Sequence, residues 1–262
     1  ERIEAIREQL PKVRNWLWID DDTGGCPTWA VPYEDAATPT QGPVAGPWGR
    51  SGDDILMIYT GGTTGMPKGV MWRQDDIIRA LCVVGNVMFA QDPAEVGGSE
   101  GAIAALDGPG SPGLPACPLM HGTGWLTANM FLTQGGSVVC MQSRHLDVPE
   151  LLDTVEREGV GVLSIVGDTF ARPIVETLDA EPDRWDLSSL MVITSSGVMW
   201  SEKYKKALLA HHPGMILVDS FSSSEALGMG QSISAAGAEE RTAHFSLGAG
   251  ATVFDDGGNP VE

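Results

Sequence analysis

The sequence predicts an α/β protein, a layered αβα arrangement around a mostly parallel sheet. Two observations predict it. The chain has 262 residues, 42% hydrophobic and only 19% charged. That is enough to bury roughly 70–75% of the surface its unfolded form exposes, and too apolar for disorder. From Ile55 onward, short apolar runs alternate with segments of helical length. This is the spacing of βαβ units, whose helices cover both faces of a sheet.

In chain order, Glu1–Gln9 reads as a charged amphipathic helix, and Trp16–Ile19 as a short strand ended by the acidic turn Asp20-Asp21-Asp22. Residues 23–53, rich in Pro, Gly and Thr, show no convincing element; residues 1–53 are therefore taken as the closing part of a preceding subdomain plus a linker. Ile55–Tyr59 is expected as a buried strand, followed by a Gly/Thr loop over 60–69 and a helix over Asp75–Phe89 with Asp75 and Asp76 in its first turn. Residues 97–113 form a loop of small residues. Further strands are expected at Ala116–Met120, Val138–Met141, Gly161–Val166, Leu190–Thr194, Ile216–Asp219 and Gly228–Ser232, with helices over Thr127–Leu132, Val148–Glu158, Asp168–Leu178 and Glu202–His211. Ser201 is placed as the N-cap of the last helix and Pro213-Gly214 as its stop. Residues 54–247 are thus the central α/β subdomain. Ala251–Phe254 and the turn at 255–259 read as a hairpin whose partner strand is missing, so 248–262 is taken as the truncated start of a β-rich subdomain.

Sixteen basic against 35 acidic residues leave a net charge of −19. That balance argues against a nucleic-acid or anionic-membrane partner. It does not forbid a local nucleotide site, because backbone N–H groups hold phosphate without net positive charge. Cys26, Cys82, Cys117 and Cys140 have no C-x-x-C spacing and no nearby histidine pair, so they are expected as reduced, mostly buried thiols of a cytoplasmic protein. Glu1–Lys12 does not read as a signal peptide, and the longest apolar stretch, Ala80–Ala90, is about half of what a bilayer span needs.

The most informative segment is Tyr59-Thr60-Gly61-Gly62-Thr63-Thr64-Gly65-Met66-Pro67-Lys68-Gly69-Val70. A strand leads into it, its glycines leave N–H groups unobstructed, and threonine hydroxyls with Lys68 supply donors, as a polyphosphate cradle requires. It is not a Walker A loop, because Pro67 precedes Lys68 and Gly69 follows it. The plain alternative is a Gly-rich connection. Three further segments stand downstream: Pro118-Leu119-Met120-His121-Gly122-Thr123-Gly124-Trp125, Ser195-Ser196-Gly197-Val198-Met199 and Asp219-Ser220-Phe221-Ser222-Ser223-Ser224-Glu225. On its own, Glu225 after a strand reads as a solvated loop residue. His145, His211, His212 and His244 read as loop or helix-end residues, and Asp168 as a helix cap.

These segments, in this order, resemble those of the adenylate-forming (AMP-binding) superfamily: acyl-CoA synthetases, peptide-synthetase adenylation domains and luciferases. The first resembles the family's Tyr-Thr-Ser-Gly-Thr-Thr-Gly-x-Pro-Lys-Gly-Val, with Gly61 where serine is common. The last resembles Tyr-Gly-x-Thr-Glu and its preceding polar residue, with Phe for Tyr and Ser for Gly. The resemblance covers Ile55 to the end and implies part of the large N-terminal domain of an adenylate-forming enzyme. It implies that Thr60, Gly61, Gly62, Thr63, Thr64, Gly65 and Lys68 hold the ATP phosphates. Ser196, Gly197, Val198, Asp219, Ser220, Phe221, Ser222 and Ser224 would border adenine and phosphate; Phe221 would stack on the base and Asp219 would reach its amino group. Glu225 would hold Mg²⁺, and His121 would orient the attacking carboxylate. Gly124, Trp125 and Phe170 would contact the acyl group.

The implied reaction consumes ATP, a carboxylic acid and CoA. The Gly-Thr-Gly-Trp segment and the apolar run after it favour a fatty-acyl-CoA synthetase. A fatty-acyl-AMP ligase, a peptide-synthetase-type domain and a non-catalytic nucleotide-binding module of the same fold remain alternatives, and a P-loop hydrolase ranks below them. No Gly-Trp-x-x-Thr-Gly-Asp segment, hinge or C-terminal lid is found, so the chain alone is expected to be inactive. The implied partners are small molecules; no nucleic acid and no membrane span is expected, and oligomeric state is left open, a homo-oligomer included.

Overall fold

The computed structural model describes residues 2–21, 24–37, 46–61, 65–88, 108–238, 244–248 and 250–261. They fall into two compact units, Glu1–Arg50 and Ser51–Glu262. In the first, α1 (Arg2–Ile6) leads into a short 3₁₀ turn, and β1 (Leu17–Trp18) pairs in parallel with β2 (Val31–Pro32), which continues into α2 (Tyr33–Ala36). Residues 23–53 therefore do contain elements. Tertiary contacts that no periodicity records hold them: Trp29 meets Trp16 edge-to-face with centroids 5.8 Å apart, and the Arg7 guanidinium lies 5.4 Å from the same Trp29 ring.

The second unit opens with a hairpin of β3 (Ile55–Thr60) and β4 (Lys68–Arg73), followed by α3 (Gln74–Met88). The Gly/Thr loop thus joins two antiparallel strands and not a strand to a helix. β3 is also not a buried strand. Its alternate residues Ile55, Met57 and Tyr59 are exposed, and only the side carrying Leu56, Ile58 and Thr60 turns inward.

A six-stranded sheet follows, in the order β10-β9-β8-β7-β6-β5. Its strands are β5 (Gly113–Pro115), β6 (Val162–Ile165), β7 (Val192–Ser196), β8 (Ile216–Phe221), β9 (Gly230–Ser234) and β10 (Ser246–Leu247). The first four run parallel, while β9 and β10 are antiparallel to their neighbours. The connecting helices are α4 (Gly122–Thr133), α5 (Val148–Glu158), α6 (Gly167–Ala180) and α7 (Glu202–His211). Finally, β11 (Val253–Phe254) pairs with β12 (Pro260–Val261), so the terminal hairpin has the partner strand that the sequence reading found missing.

The two faces of the sheet are sorted by the two-residue period of its strands. Leu163, Ile165, Ile193 and Leu217 pack against Leu151, Ile174 and Leu208 of α5, α6 and α7. Val162, Val192 and Val218 point the other way, onto Ile77 and Leu81 of α3 and Met130 and Phe131 of α4. The αβα layering is therefore as expected. The Asp147 carboxylate caps α5 by accepting from Glu150 N–H at 3.0 Å, and Gly159 ends the helix in the left-handed conformation.

Two strands were misplaced from sequence. Residues 116–120 form a turn, with β5 just before it, and Val138 contributes only an isolated bridge to Gly113. A close approach explains the glycine of β5: a Cβ on Gly113 would stand 2.2 Å from the Phe131 ring, and with Pro112 before it and Pro115 at its end the strand reads locally as loop. Among the cysteines, Cys82 and Cys117 are buried, and burial pushes both thiols up. Cys26 is half-buried and Cys140 is exposed, against expectation. Gly113→Ala should cost about 1–3 kcal/mol, read as a shift of the urea midpoint without a change of slope; an unchanged midpoint would show that the Phe131 contact is loose.

Candidate functional site

β6, β7 and β8 end at the same edge of the sheet, and a cavity of about 260 Å³ opens there beneath α4. Open parallel sheets place ligands outside the carboxyl ends of their strands. Register builds its floor. Ser164 stands beside Thr194, and Ser196 beside Ser220, which in turn stands beside Gln231 of β9. All five line the cavity. Ser164, Thr194, Ser196 and Ser220 occupy the strand positions that face α4, on the same side of the sheet as Val162 and Val192 but with hydroxyl-bearing side chains.

α4 forms the roof. Thr123, Leu126, Thr127 and Met130 recur at helical spacing and line the cavity. Gly124 and Trp125 fall on other sides of the helix. A Cβ on Gly124 would stand 2.4 Å from the Pro118 carbonyl, so that glycine serves close packing. Trp125 packs against the core shared by α3 and α4, and Phe170 packs against the core on the opposite face of the sheet. None of these three lines the cavity. The 3.6-residue period starting at Thr123 is the signal in the sequence for the residues of α4 that line the cavity.

His121 is the N-cap of α4. Its Nδ1 accepts from Thr123 N–H at 3.3 Å. With Nδ1 so engaged, the proton of a neutral ring is assigned to Nε2. His121 also lines the cavity, so one residue both caps the helix and borders the site.

Three loops converge on this mouth. A Cβ on Gly122 would be 3.5 Å from Ser224 Oγ, and one on Gly197, whose φ is +96°, would be 3.7 Å from Thr123 Oγ1. The segments 121–123, 195–198 and 222–225 are therefore neighbours. Val198 is exposed, and Phe221 presents a half-exposed ring tilted at 47° to Phe245. Ser222 Oγ accepts from Gly228 N–H at 3.1 Å, and Glu225 is exposed beyond the end of β8. The hairpin joins the group through the Trp72 indole N–H, which donates to the Ser224 carbonyl at 2.8 Å. Thr60 Oγ1 donates to the Lys68 carbonyl at 3.4 Å, and Lys68, Gly61 and Gly65 are exposed. Gly62, Thr63 and Thr64 lie outside the described residues.

Asp219 does not open into the cavity. It sits on the other face of β8, 5% exposed, and its Oδ2 accepts from Lys205 Nζ of α7 at 3.1 Å. That leaves any reach to an adenine amino group to its other oxygen. Burial pushes the Asp219 carboxyl up, Lys205 pulls it back, and the Asp168 charge adds to the rise. Asp168 itself is no N-cap. From the first turn of α6 it accepts the backbone N–H of Ser201 at 2.8 Å, and Ser201 occupies the N-cap of α7 without a capping bond of its own. The ion pair and this bond tie α7 to the strand end and to α6, and neither leaves a trace in local sequence.

A sequence profile described as AMP-binding enzyme matches residues 1–262. The chain belongs to the AMP-binding enzyme family. Among AMP-binding relatives, it is 36% identical over 228 residues to the medium-chain acyl-CoA ligase Mig of Mycobacterium avium, covering 86% of this chain and 40% of that protein. It is 32% identical to a medium/long-chain-fatty-acid–CoA/3-oxocholest-4-en-26-oate–CoA ligase of Mycolicibacterium smegmatis, covering 100% of this chain and 48% of that protein. The chain thus spans less than half the length of these two relatives. The fold is that of the anthranilate CoA ligase AuaEII, solved in complex with anthranoyl-AMP: TM-score 0.72 at 19% identity, over 99% of this chain and 46% of that one.

The buried pair yields a prediction with a definite sign. A carboxyl raised in the native state holds its proton more tightly than in the unfolded chain. Its contribution is therefore intact below the unfolded value and lost as pH rises through the folded one. Lys205→Met, which removes the opposing charge, should cost about 3–5 kcal/mol at pH 7 and make stability fall more steeply above pH 4. Adding Asp219→Asn should restore most of the loss. Urea midpoints between pH 4 and 8 check this, and a flat, additive double mutant would contradict it.

Proposed function

We propose that this chain is the acid- and nucleotide-binding part of a ligase that activates a carboxylic acid of fatty or other lipid-derived class with ATP, then passes the acyl group to the thiol of CoA. The observation that carries the reading is the cavity beneath α4. Apolar side chains such as Leu81, Leu126, Met130 and Leu227 line it together with hydroxyls, and its mouth is shared by the His121, Gly197 and Ser224 loops. That combination suits an acid whose tail is apolar and whose carboxylate must meet a nucleotide. The names of the relatives, medium-chain acyl-CoA ligase and fatty-acid or 3-oxocholest-4-en-26-oate–CoA ligase, support the same substrate class.

In the first half-reaction a carboxylate oxygen attacks the α-phosphorus of ATP and the bond to pyrophosphate breaks. In the second, the CoA sulfur attacks the acyl carbon and AMP leaves. The Nε2–H of His121 donates to the carboxylate and orients it. Lys68 and the Gly/Thr loop offset charge on the departing pyrophosphate. Phe221 offers its exposed face to the adenine, with Ser196, Gly197 and Val198 at the edge of the base. The residues present also fit Mg²⁺. Glu225 is an exposed carboxylate just beyond the end of β8. This suits a cation that takes most of its ligands from phosphate and water. Bound there, Mg²⁺ would supply further charge neutralisation.

No helix among the described residues is long and apolar enough to cross a membrane. In the full-length gene product, a medium- or long-chain acid should drive exchange of pyrophosphate into ATP. Glu225→Gln should lower that exchange by about a hundredfold or more while leaving the melting temperature essentially unmoved. Exchange that does not depend on acid would overturn the reading, and equal losses of exchange and stability would make Glu225 structural.

A further inference from the structure

We propose that Trp72 is a positioning residue that sets the peptide plane in front of Glu225 and ties the Gly/Thr hairpin to that loop; this rests on the nucleotide-activating reading above. The register of β3 and β4 pairs Thr60 with Lys68, Ile58 with Val70 and Leu56 with Trp72. All six lie on the inward side of the hairpin, since alternate residues share a face. Lys68, at the loop end, and Trp72, about 13 Å along the same strand, are therefore fixed on one side of one rigid ladder.

The Trp72 indole N–H donates to the Ser224 carbonyl at 2.8 Å, across 152 residues of sequence. That oxygen and the N–H of Glu225 belong to one planar peptide unit, so holding the oxygen fixes the plane from which Glu225 departs. The loop's other bonds are its own. Ser223 and Ala226 exchange backbone bonds at 2.9 and 3.3 Å, and Ser222 Oγ takes Gly228 N–H. Among the described residues, no other side chain from outside the loop hydrogen-bonds residues 222–226. A shift of the phosphate-side hairpin thus reaches the carboxylate through one indole. Packing alone would not ask for this geometry: Trp72 also rests against the core of α3 and α4, a role that any large ring could fill.

Two variants separate the donor from the packing. Trp72→Phe keeps an aromatic ring and removes the N–H; Leu56→Ala keeps the donor and loosens the contact opposite it. In the ligand-free chain, Trp72→Phe should raise backbone hydrogen exchange across residues 222–229 about fivefold to tenfold, the size of one net hydrogen bond. β6 and β7 should stay protected and report that the fold is intact. Calorimetric affinity for a non-hydrolysable ATP analogue with Mg²⁺ should fall by a similar factor, whereas Leu56→Ala should lower the melting temperature and move neither readout beyond about twofold. Identical behaviour of the two variants, or no change at 222–229, would overturn the assignment. Absence of nucleotide binding by the unaltered chain would instead overturn the proposed function, and the exchange comparison would still decide whether Trp72 holds the loop.

Discussion

Ser164, Thr194, Ser196 and Ser220 face the roof helix α4 because side chains alternate across a strand and because β6, β7 and β8 are held in one register. On the opposite face the same strands carry Leu163, Ile165, Ile193 and Leu217, which bind three helices into the main core. A one-residue slip in any of the three strands would drive hydroxyls into that core and leucines into the cavity. The large buried face therefore fixes the register, and the register places the small residues of the site. Core packing and site geometry are in this sense one constraint, and the loops 195–198 and 222–225 inherit their positions from it.

The sequence made the parallel strands and their helices legible because both faces are covered: α7 matches its expected bounds, and β6, β7 and β8 differ by a residue or two. Features set by distant contacts were not legible. The expected loop over 60–69 takes in the first two residues of β4 and no element is expected over the rest, because the Lys68–Arg73 segment sits beside a glycine-rich turn and its strand character becomes visible only in pairing with β3. β5 hid among Pro112, Gly113 and Pro115, and the Phe131 ring pressed against Gly113 explains the glycine. At the site, motif order found His121, Ser196, Gly197, Ser220, Ser222 and Ser224 around one cavity. Gly124, Trp125 and Phe170 do not line that cavity, and a motif marks a segment but not which side of a helix faces a cavity. The Trp72 and Lys205 bonds could not have been read at all, each being made by a side chain with a partner far along the chain.

The electrostatics follow a similar division. A chain with a net charge of −19 still lines its cavity largely with uncharged hydroxyl-bearing residues, and Gly197 supplies one of the turns at the mouth with its positive φ. The one buried ion pair among the described residues, Lys205 with Asp219, lies under the sheet edge and away from the cavity. Its cost in desolvation is set against the alignment of α7 with the end of β8, where Phe221 and the Glu225 loop begin.

The proposed function requires that the cavity beneath α4 take the acyl part of an acyl-adenylate. The most direct measurement is calorimetric titration of the chain with acyl-sulfamoyl-adenosines of increasing acyl length, the sulfamate standing in for the acyl phosphate. The account predicts binding that strengthens with each added pair of methylenes until the cavity is filled, at about 0.8 kcal/mol per buried CH₂, and that Met130→Trp cuts this series short. Affinity that does not depend on acyl length, in a chain shown to be folded, would contradict it.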